Sequence, residues 1–352
     1  MRQLTLALLF LGSALSASAV CPFNIAEVTV PPQQIAGFNW GPAIRPMNDP
    51  CVDHIQVENG NAPKAWYAGG VHGVYVTKDS GVNWTHPLNG KVGVLLWEPV
   101  HQLAYAGIGK VLYLSRDHGA NWVPLHTFAK PVSSLFALAA QTTLYIGLAW
   151  DNHIDDSGIF ISNFGAGGMT FHPFAANQPV GKGLIVWTIS RDPATGGLYA
   201  GTEIFDHQPQ PYKPPFWRSL NNGNTWKNVQ NNLPWHAIDS AARSGGIVYA
   251  LTEGSGLWRS STMGNVWLAP NPATPSLGVS LLMDPVTPTR LYAGRLNGGT
   301  QTGGIFRSID AGDTFQLVGL KGTTVSDIAL NEPLTRIYVA SYSSGIYTSP
   351  VP

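Results

Sequence analysis

Charge is scarce in this chain. Only 11% of its 352 residues are Asp, Glu, Lys or Arg, and 20 bases against 20 acids leave a formal net charge of zero. A surface this neutral has no basic field for phosphates, which argues against a nucleic-acid partner. Solubility then falls to Ser, Thr, Asn and Gln. Cysteine is rarer still, with Cys21 and Cys51 the two in the sequence. Neither has another Cys or a His at metal-ligand spacing, so no zinc site is expected there. The histidines are scattered without a His-x-x-x-His pair, and no nucleophile-elbow sequence accompanies a serine. Beyond the N-terminus, no stretch is long and apolar enough to cross a bilayer as a helix.

The first residues carry the one long apolar run. Arg2, the segment Leu4 to Leu11 and the small residues ending Ala17-Ser18-Ala19 read as a signal peptide over residues 1–19. A competing lipoprotein reading, with Cys21 acylated, is disfavoured by the bulky Val20 before it. Export puts residues 20–352 in a secreted or periplasmic setting, where Cys21 and Cys51 are expected to form a disulfide. Such a bridge closes a loop of about thirty residues and contributes roughly 3–4 kcal/mol by loop entropy.

Glycine, proline and aromatic residues are plentiful, and they recur in register. Seven strands carry a Tyr signature: Trp66-Tyr67-Ala68-Gly69, Ala104-Tyr105-Ala106-Gly107, Leu144-Tyr145-Ile146-Gly147, Leu198-Tyr199-Ala200-Gly201, Val248-Tyr249-Ala250, Leu291-Tyr292-Ala293-Gly294 and Ile337-Tyr338-Val339-Ala340. After each comes a strand of alternating aromatic and aliphatic residues, such as Val74-Tyr75-Val76 or Ile305-Phe306. Most of these lead into a turn of the form Ser-x-Asp-x-Gly-x-x-Trp. Asp79, Gly81 and Trp84 mark one copy, Asp117, Gly119 and Trp122 a second, and Asp310, Gly312 and Phe315 a third. Degenerate copies have Asn221, Gly223 and Trp226, or Gly264 and Trp267 with Thr262 at the acid position, and the copy beginning at Ser162 is distorted. In such a turn the short acid accepts backbone hydrogen bonds, the glycine takes a positive φ and the Trp buries a large ring. These acids are therefore read as structural. Asn83-Trp84-Thr85 also matches a glycosylation sequon, inside a turn whose Trp should be buried.

A repeat of forty to fifty residues built from short strands means a radial β array. Each unit reads as four strands, A to D from the inside outward, with A an apolar stretch such as Val186 to Ile189 or Val279 to Leu282. The expected fold is all-β: a seven-bladed β-propeller of four-stranded antiparallel blades in a single domain over residues 20–352. The seventh unit stops after strand C at Ser349-Pro350. Within the N-terminal closing segment, residues 20–51, the stretch Ala26 to Val30 is expected to supply the missing outer strand and join the ring's ends.

The combined pattern resembles the Asp-box (BNR-type) β-propeller superfamily over nearly the whole chain beyond residue 19. That superfamily includes sialidases, xyloglucanase-type glycoside hydrolases, sortilin ectodomains and photosystem II assembly factors, and seven units match the last three groups better than the six-bladed sialidases. The resemblance therefore implies the fold and leaves the chemistry open. The sialidase Phe/Tyr-Arg-Ile-Pro motif has no counterpart; the nearest sequence is Ile44-Arg45-Pro46. Xyloglucanase-type enzymes carry a catalytic Asp in Tyr-Ala-Arg-Thr-Asp-Val-Gly-Gly-Ala-Tyr, where this chain has Tyr67-Ala68-Gly69-Gly70-Val71-His72-Gly73-Val74-Tyr75. Such enzymes also form a cleft with a second propeller, for which this chain has no room.

In this superfamily the B–C and D–A loops share the face that usually carries function. Three B–C loops are long here, at residues 148–157, 202–215 and 295–303, and long loops on a rigid scaffold concentrate binding groups. The expected ligand-binding residues are Trp150, Asp151, His153, Phe205, His207, Tyr212 and Trp235, a mix of aromatics and acids suited to sugar rings. Asp155, Asp156, Glu203 and Asp206 are the candidate catalytic carboxylates. Asp151, Asp155 and Asp156 also offer oxygens to calcium, although their spacing is not that of an EF-hand. The leading expectation is a monomeric, non-catalytic binding or assembly module with no cofactor, whose partner is a glycan or an extracellular or periplasmic protein. The alternative is a glycan-active enzyme, hydrolase or lyase, using the loop carboxylates.

Overall fold

The computed structural model describes residues 33–58, 65–138, 142–149, 158–165, 168–173, 184–204, 215–234, 237–243, 245–252, 255–270, 278–298, 302–331 and 334–352. The chain forms a seven-bladed β-propeller of small antiparallel sheets, with no α-helix among the described residues. A short hairpin, β1 (Gln33–Ile35) and β2 (Phe38–Trp40), precedes the ring. Blade 1 is β3 (Val52–Val57), β4 (Trp66–Gly70), β5 (Gly73–Thr77) and β6 (Thr85–Asn89). Blade 2 is β7 (Val92–Glu98), β8 (Leu103–Ile108), β9 (Val111–Ser115) and β10 (Val123–Thr127). Blade 3 is β11 (Val132–Leu138), β12 (Thr143–Leu148), β13 (Ile159–Gly165) and β14 (Gly168–Pro173). Blade 4 is β15 (Leu184–Arg191), β16 (Leu198–Ile204), β17 (Phe216–Ser219) and the two-residue β18 (Lys227–Asn228). Blade 5 is β19 (Ala237–Arg243), β20 (Ile247–Thr252) and β21 (Gly256–Ser260). Blade 6 is β22 (Gly278–Met283), β23 (Leu291–Arg295), β24 (Gly304–Ser308) and β25 (Gln316–Gly319). Blade 7 is β26 (Val325–Leu330), β27 (Arg336–Ser341) and β28 (Gly345–Pro350).

Two sheets depart from the expected four strands. Blade 5 has three paired strands, and a single bridge between Arg259 and Leu268 stands where its outer strand would run. Blade 7 is also three-stranded, and its open edge is met by the N-terminal segment. Ile44 and Ile346 exchange backbone hydrogen bonds of 2.7 and 2.8 Å, and Gly41 N–H donates to Thr348 O at 3.3 Å. Among the described residues ring closure falls to residues 41–44, and the expected stretch 26–30 lies outside them. The physical reason is anchoring just upstream. Phe38 and Trp40 are fully buried, the Trp40 indole donates to Val318 O at 2.8 Å, and the Arg307 guanidinium stacks over the Phe38 ring at 5.1 Å. These aromatics wedge against blade 6 and so deliver the next residues to the edge of blade 7.

The Tyr-Ala-Gly signature has a packing explanation that goes beyond β propensity. The signature glycine of one blade faces a residue near the start of the next blade's inner strand. A Cβ on Gly69 would lie 2.9 Å from Val92, one on Gly107 2.8 Å from Val132, and one on Gly147 2.8 Å from Val186. On Gly294 it would lie 2.6 Å from Val325. At the junction of blades 5 and 6 the sizes are exchanged: Leu251 replaces the glycine, and Gly278 replaces the valine, with a Cβ there only 2.5 Å from Leu251. At these five junctions a glycine makes room for the larger residue opposite it.

Buried acids tie off the A–B turns. Asp192 accepts N–H groups from Ala194 and Thr195 and, from the next blade, Gly246. Asp284 takes those of Val286 and Thr287, and Glu98 takes those of Val100 and His101. All three acids are about 1% exposed or less. Each satisfies turn donors that would otherwise be orphaned. The prolines after Asp192 and Asp284 stop the strand, but the carboxylates hold the turn.

Candidate functional site

In a propeller the inner strands surround an axial channel, so side chains at their ends decide what the channel mouth presents. All seven A–B ladders break register at the same place. The shifts fall between Val52 and His54, Val92 and Val94, Val132 and Ser134, Val186 and Thr188, Ala237 and Asp239, Gly278 and Ser280, and Val325 and Asp327. Each is a β-bulge that inserts one residue, a device that re-aims a side chain at the rim of a sheet. The bulge residues are Asp53, Gly93, Ser133, Trp187, Ile238, Val279 and Ser326. They pair near the ends of the B strands, on the face shared by the B–C turns and D–A connections. The valines before them are buried, whereas Asp53, Gly93, Ser133, Trp187, Val279 and Ser326 keep exposure. One bulge position per blade thus lies at the mouth end of its inner strand. Blades 7, 1, 2 and 3 contribute Ser, Asp, Gly and Ser there; blades 4 and 6 contribute Trp and Val.

The ring's serines have a structural task. Ser133 Oγ donates to Val186 O of the next blade at 2.8 Å, while Ser326 Oγ lies 3.1 Å from Ala340 O of its own blade and 3.4 Å from Val52 O of the next. Trp187 is fixed by its indole N–H, which donates to Glu203 Oε2 at 2.9 Å. Asp53 differs. Its Oδ1 is shielded from solvent and has no hydrogen-bond partner. Burial pushes its carboxyl up to about 7, countered by Lys91 and reinforced by the nearby Asp49. Burial, then Lys91, holds the neighbouring His54 down at about 4. The Tyr342 phenol, on the blade 7 B–C turn, is also driven up by burial and by Asp53.

Blade 1 carries a second polar group at this face. Asp49 is 8% exposed and accepts Cys51 N–H at 2.9 Å, while its Oδ2 meets His72 Nδ1 and Tyr75 Oη, both at 2.7 Å. His72 is 45% exposed, so the contact leaves its Nε2 directed away from the acid. One residue beyond the bulges, two more carboxylates lie along the channel. Asp327 accepts Ile55 N–H at 2.9 Å, and Asp239 accepts Leu281 N–H at 2.6 Å, each clasping the next blade. Burial pushes Asp327 up to about 7 and Asp239 up to about 6, against the pull of these hydrogen bonds.

The opposite face holds the boxes. In five blades the first hydroxyl, on Thr77, Ser115, Ser219, Ser260 or Ser308, accepts the N–H of Gly81, Gly119, Gly223, Gly264 or Gly312 at 2.8–3.0 Å. The acid position, Asp79, Asp117, Asn221, Thr262 or Asp310, accepts the N–H four residues on at 2.8–2.9 Å. Hydrogen bonds from Asn121 hold Asp117 down at about 2. The Trp122 ring meets Tyr67 of the preceding blade edge-on at 6.3 Å, and Trp226 and Trp267 are buried; Trp84 and Phe315 are half-buried. The distorted copy at Ser162 is a continuous hairpin instead, pairing Gly165 with Gly168.

Of the residues singled out from sequence, Trp150, Asp151, His153, Asp155, Asp156, Phe205, Asp206, His207, Tyr212 and Trp235 lie outside the described residues. Glu203 is described, and it is engaged with Trp187. Cys51 is fully buried ahead of β3, and Cys21 lies outside the described residues. Among the described residues no cluster of three or more His, Cys, Asp or Glu could hold a metal, and no helix is long and apolar enough to cross a membrane. Sequence reasoning missed Asp53, Trp187, Asp239 and Asp327. A bulge is a property of strand pairing, so the sequence carried no direct sign of it beyond a polar residue in an apolar strand.

No protein-family model matches the chain, and no curated protein matches it by sequence. Solved structures do. YCF48 from Cyanidioschyzon merolae superposes with a TM-score of 0.62 at 15% identity, over 89% of this chain and 98% of that one. YCF48 bound to D1 peptide gives 0.61 at 14% identity, over 89% and 97%. The extracellular domain of the two-component system BT4673 from B. thetaiotaomicron gives 0.64 at 13%, over 90% of this chain and 40% of that one. At these identities the likeness is one of fold.

Proposed function

We propose that this propeller is a secreted or periplasmic binding module that takes a segment of another protein at the channel mouth on its B–C and D–A face. The observation that carries this reading is the set of seven bulges at one place in the ladder, filled by different residues on a repeated backbone. A binding site needs variable groups on a rigid frame, and that is the division found here. Among structures of like fold, one is a propeller bound to a peptide and another is an extracellular domain, which supports a protein partner and an exported location. In this reading residues 1–19 are removed on export, and Cys21 bonds to Cys51 to pin the segment leading into the ring's seam.

A glycan remains the competing ligand through the loops at 148–157 and 202–215, and turnover by their carboxylates the competing activity. Purified protein applied to a random peptide array and a glycan array, with an oligosaccharide hydrolysis screen alongside, separates these. The proposal expects peptide spots that bind and no oligosaccharide cleavage. Cleavage that vanishes in an Asp155→Asn/Asp156→Asn variant would replace it with the enzymatic reading.

A further inference from the structure

Resting on that reading, we propose that the channel mouth takes one basic side chain of the partner, an ammonium or guanidinium, with Asp53 as its counter-ion and Trp187 as the apolar wall. The bulge positions are equivalent from blade to blade. In blades 3 and 7 the bulge serine gives its hydroxyl proton to a backbone carbonyl: Ser133 Oγ lies 2.8 Å from Val186 O of the next blade, and Ser326 Oγ lies 3.1 Å from Ala340 O of its own blade and 3.4 Å from Val52 O of the next. An ionised aspartate has no proton to give a carbonyl, so Asp53 cannot repeat that link once it is deprotonated, above about pH 7. Its Oδ1 is left shielded and unpartnered. Such an acceptor costs stability. A residue that weakens the ring where serine would strengthen it is accounted for by what it does for a ligand.

The surroundings select the ligand's sign and shape. Asp239 and Asp327 extend acidic character along the channel from blades 5 and 7, and Asp49 adds to it from the segment before β3. Lys91, Tyr342 and His54 also face Asp53 or its neighbour; Lys91 supplies the opposing positive charge through space. Trp187 stands three blades round the ring, half-buried and with its indole N–H already committed to Glu203, so its ring is left for contact with a ligand's stem or cation. Because burial holds Asp53 partly protonated near neutrality, an arriving cation displaces that proton, and uptake strengthens as pH rises through about 7.

The test uses the whole protein and three probes: N-acetyl-arginine amide, N-acetyl-lysine amide and the uncharged N-acetyl-citrulline amide, followed by ligand-observed NMR at pH 8. At least one basic amide is expected to bind about tenfold more tightly than the citrulline amide, the gap of a charge-assisted hydrogen bond. Asp53→Ser, which copies blades 3 and 7, should fold with an unchanged or higher Tm and lose that preference; Asp53→Asn should lose it as well. Trp187→Leu should weaken the basic amide, and lowering the pH to 5 should shrink the preference. Equal binding of citrulline and arginine amides, or a preference retained in Asp53→Ser, overturns the proposal. A peptide from the array that binds wild type and Asp53→Ser alike would sink this inference and leave the protein-binding reading standing. Discrimination between amides with a blank peptide array would do the reverse.

Discussion

At the A–B and C–D end of the disc, five boxes make the same two hydrogen bonds to within 0.2 Å, although the acid position is filled by Asp, Asn or Thr. At the other end, seven bulges occur at one place in the ladder and carry Asp, Gly, Ser, Trp, Ile, Val and Ser. One end varies the residue and keeps the bonds; the other keeps the backbone and varies the chemistry. The box end and the walls between blades therefore hold the frame, and the mouth is free to specialise. Substitutions should divide along the same line, with losses of stability at boxes and walls and losses of binding at the mouth.

The largest effect is expected at the wall between blades 5 and 6. Gly278→Val puts a branched side chain against Leu251 and should lower unfolding free energy by about 3 kcal/mol in a denaturant titration, as overpacking does. Leu251→Gly should cost a similar amount through a cavity. The double variant copies the arrangement of Gly69 with Val92 and should recover most of the loss. Failure of that rescue would break the idea that one large and one small residue define each wall.

A box substitution comes next. Asp117→Ala removes the acceptor for the Asn121 backbone and side chain and should cost about 2 kcal/mol, while Asp117→Asn, which copies Asn221, should cost less than about 1 kcal/mol. Neither should alter ligand binding. A binding defect in a folded Asp117→Asn protein would blur the division between the faces.

The smallest effect is a pH slope. Asp53 and Asp327 are raised to about 7 and Asp239 to about 6, above the ordinary carboxylate value near 4. Groups raised on folding favour the native state while protonated, so their contribution is complete below about pH 4 and is lost as pH rises toward 7. Thermal melts should therefore show stability falling between about pH 4 and 7. Asp239→Asn and Asp327→Asn should flatten that slope. Asp117, held down at about 2, acts in the opposite sense and matters only in strong acid.

Much of the frame was legible in the sequence because it repeats. Tyr292-Ala293-Gly294 and Ile305-Phe306 pair as strands B and C, and Val186 to Ile189 lies within an inner strand as expected. The signature glycines were readable as a pattern, but their reason was not, since Gly107 meets Val132 only once two blades are packed together. The part of the seam at residues 41–44 was not legible for a related cause. Residues 41–44 lack alternation and join blade 7 because Phe38 and Trp40 are anchored on blade 6, a contact some 280 residues away in the chain. The site was the least legible part. Attention went to the long loops, where aromatics and acids cluster, whereas the described mouth is built from single residues inside regular strands. Asp53 reads as one polar residue in Val52-Asp53-His54-Ile55 until the bulge gives it a direction.

The division between the faces is tested most directly by hydrogen exchange read by mass spectrometry, comparing free protein with protein saturated by the tightest peptide from the array. Protection should appear at the bulge segments 52–54, 186–188 and 325–327 and at the blade 7 turn 341–345, with the boxes at 77–84 and 115–122 unchanged. Protection at the boxes with an unprotected mouth would contradict the account.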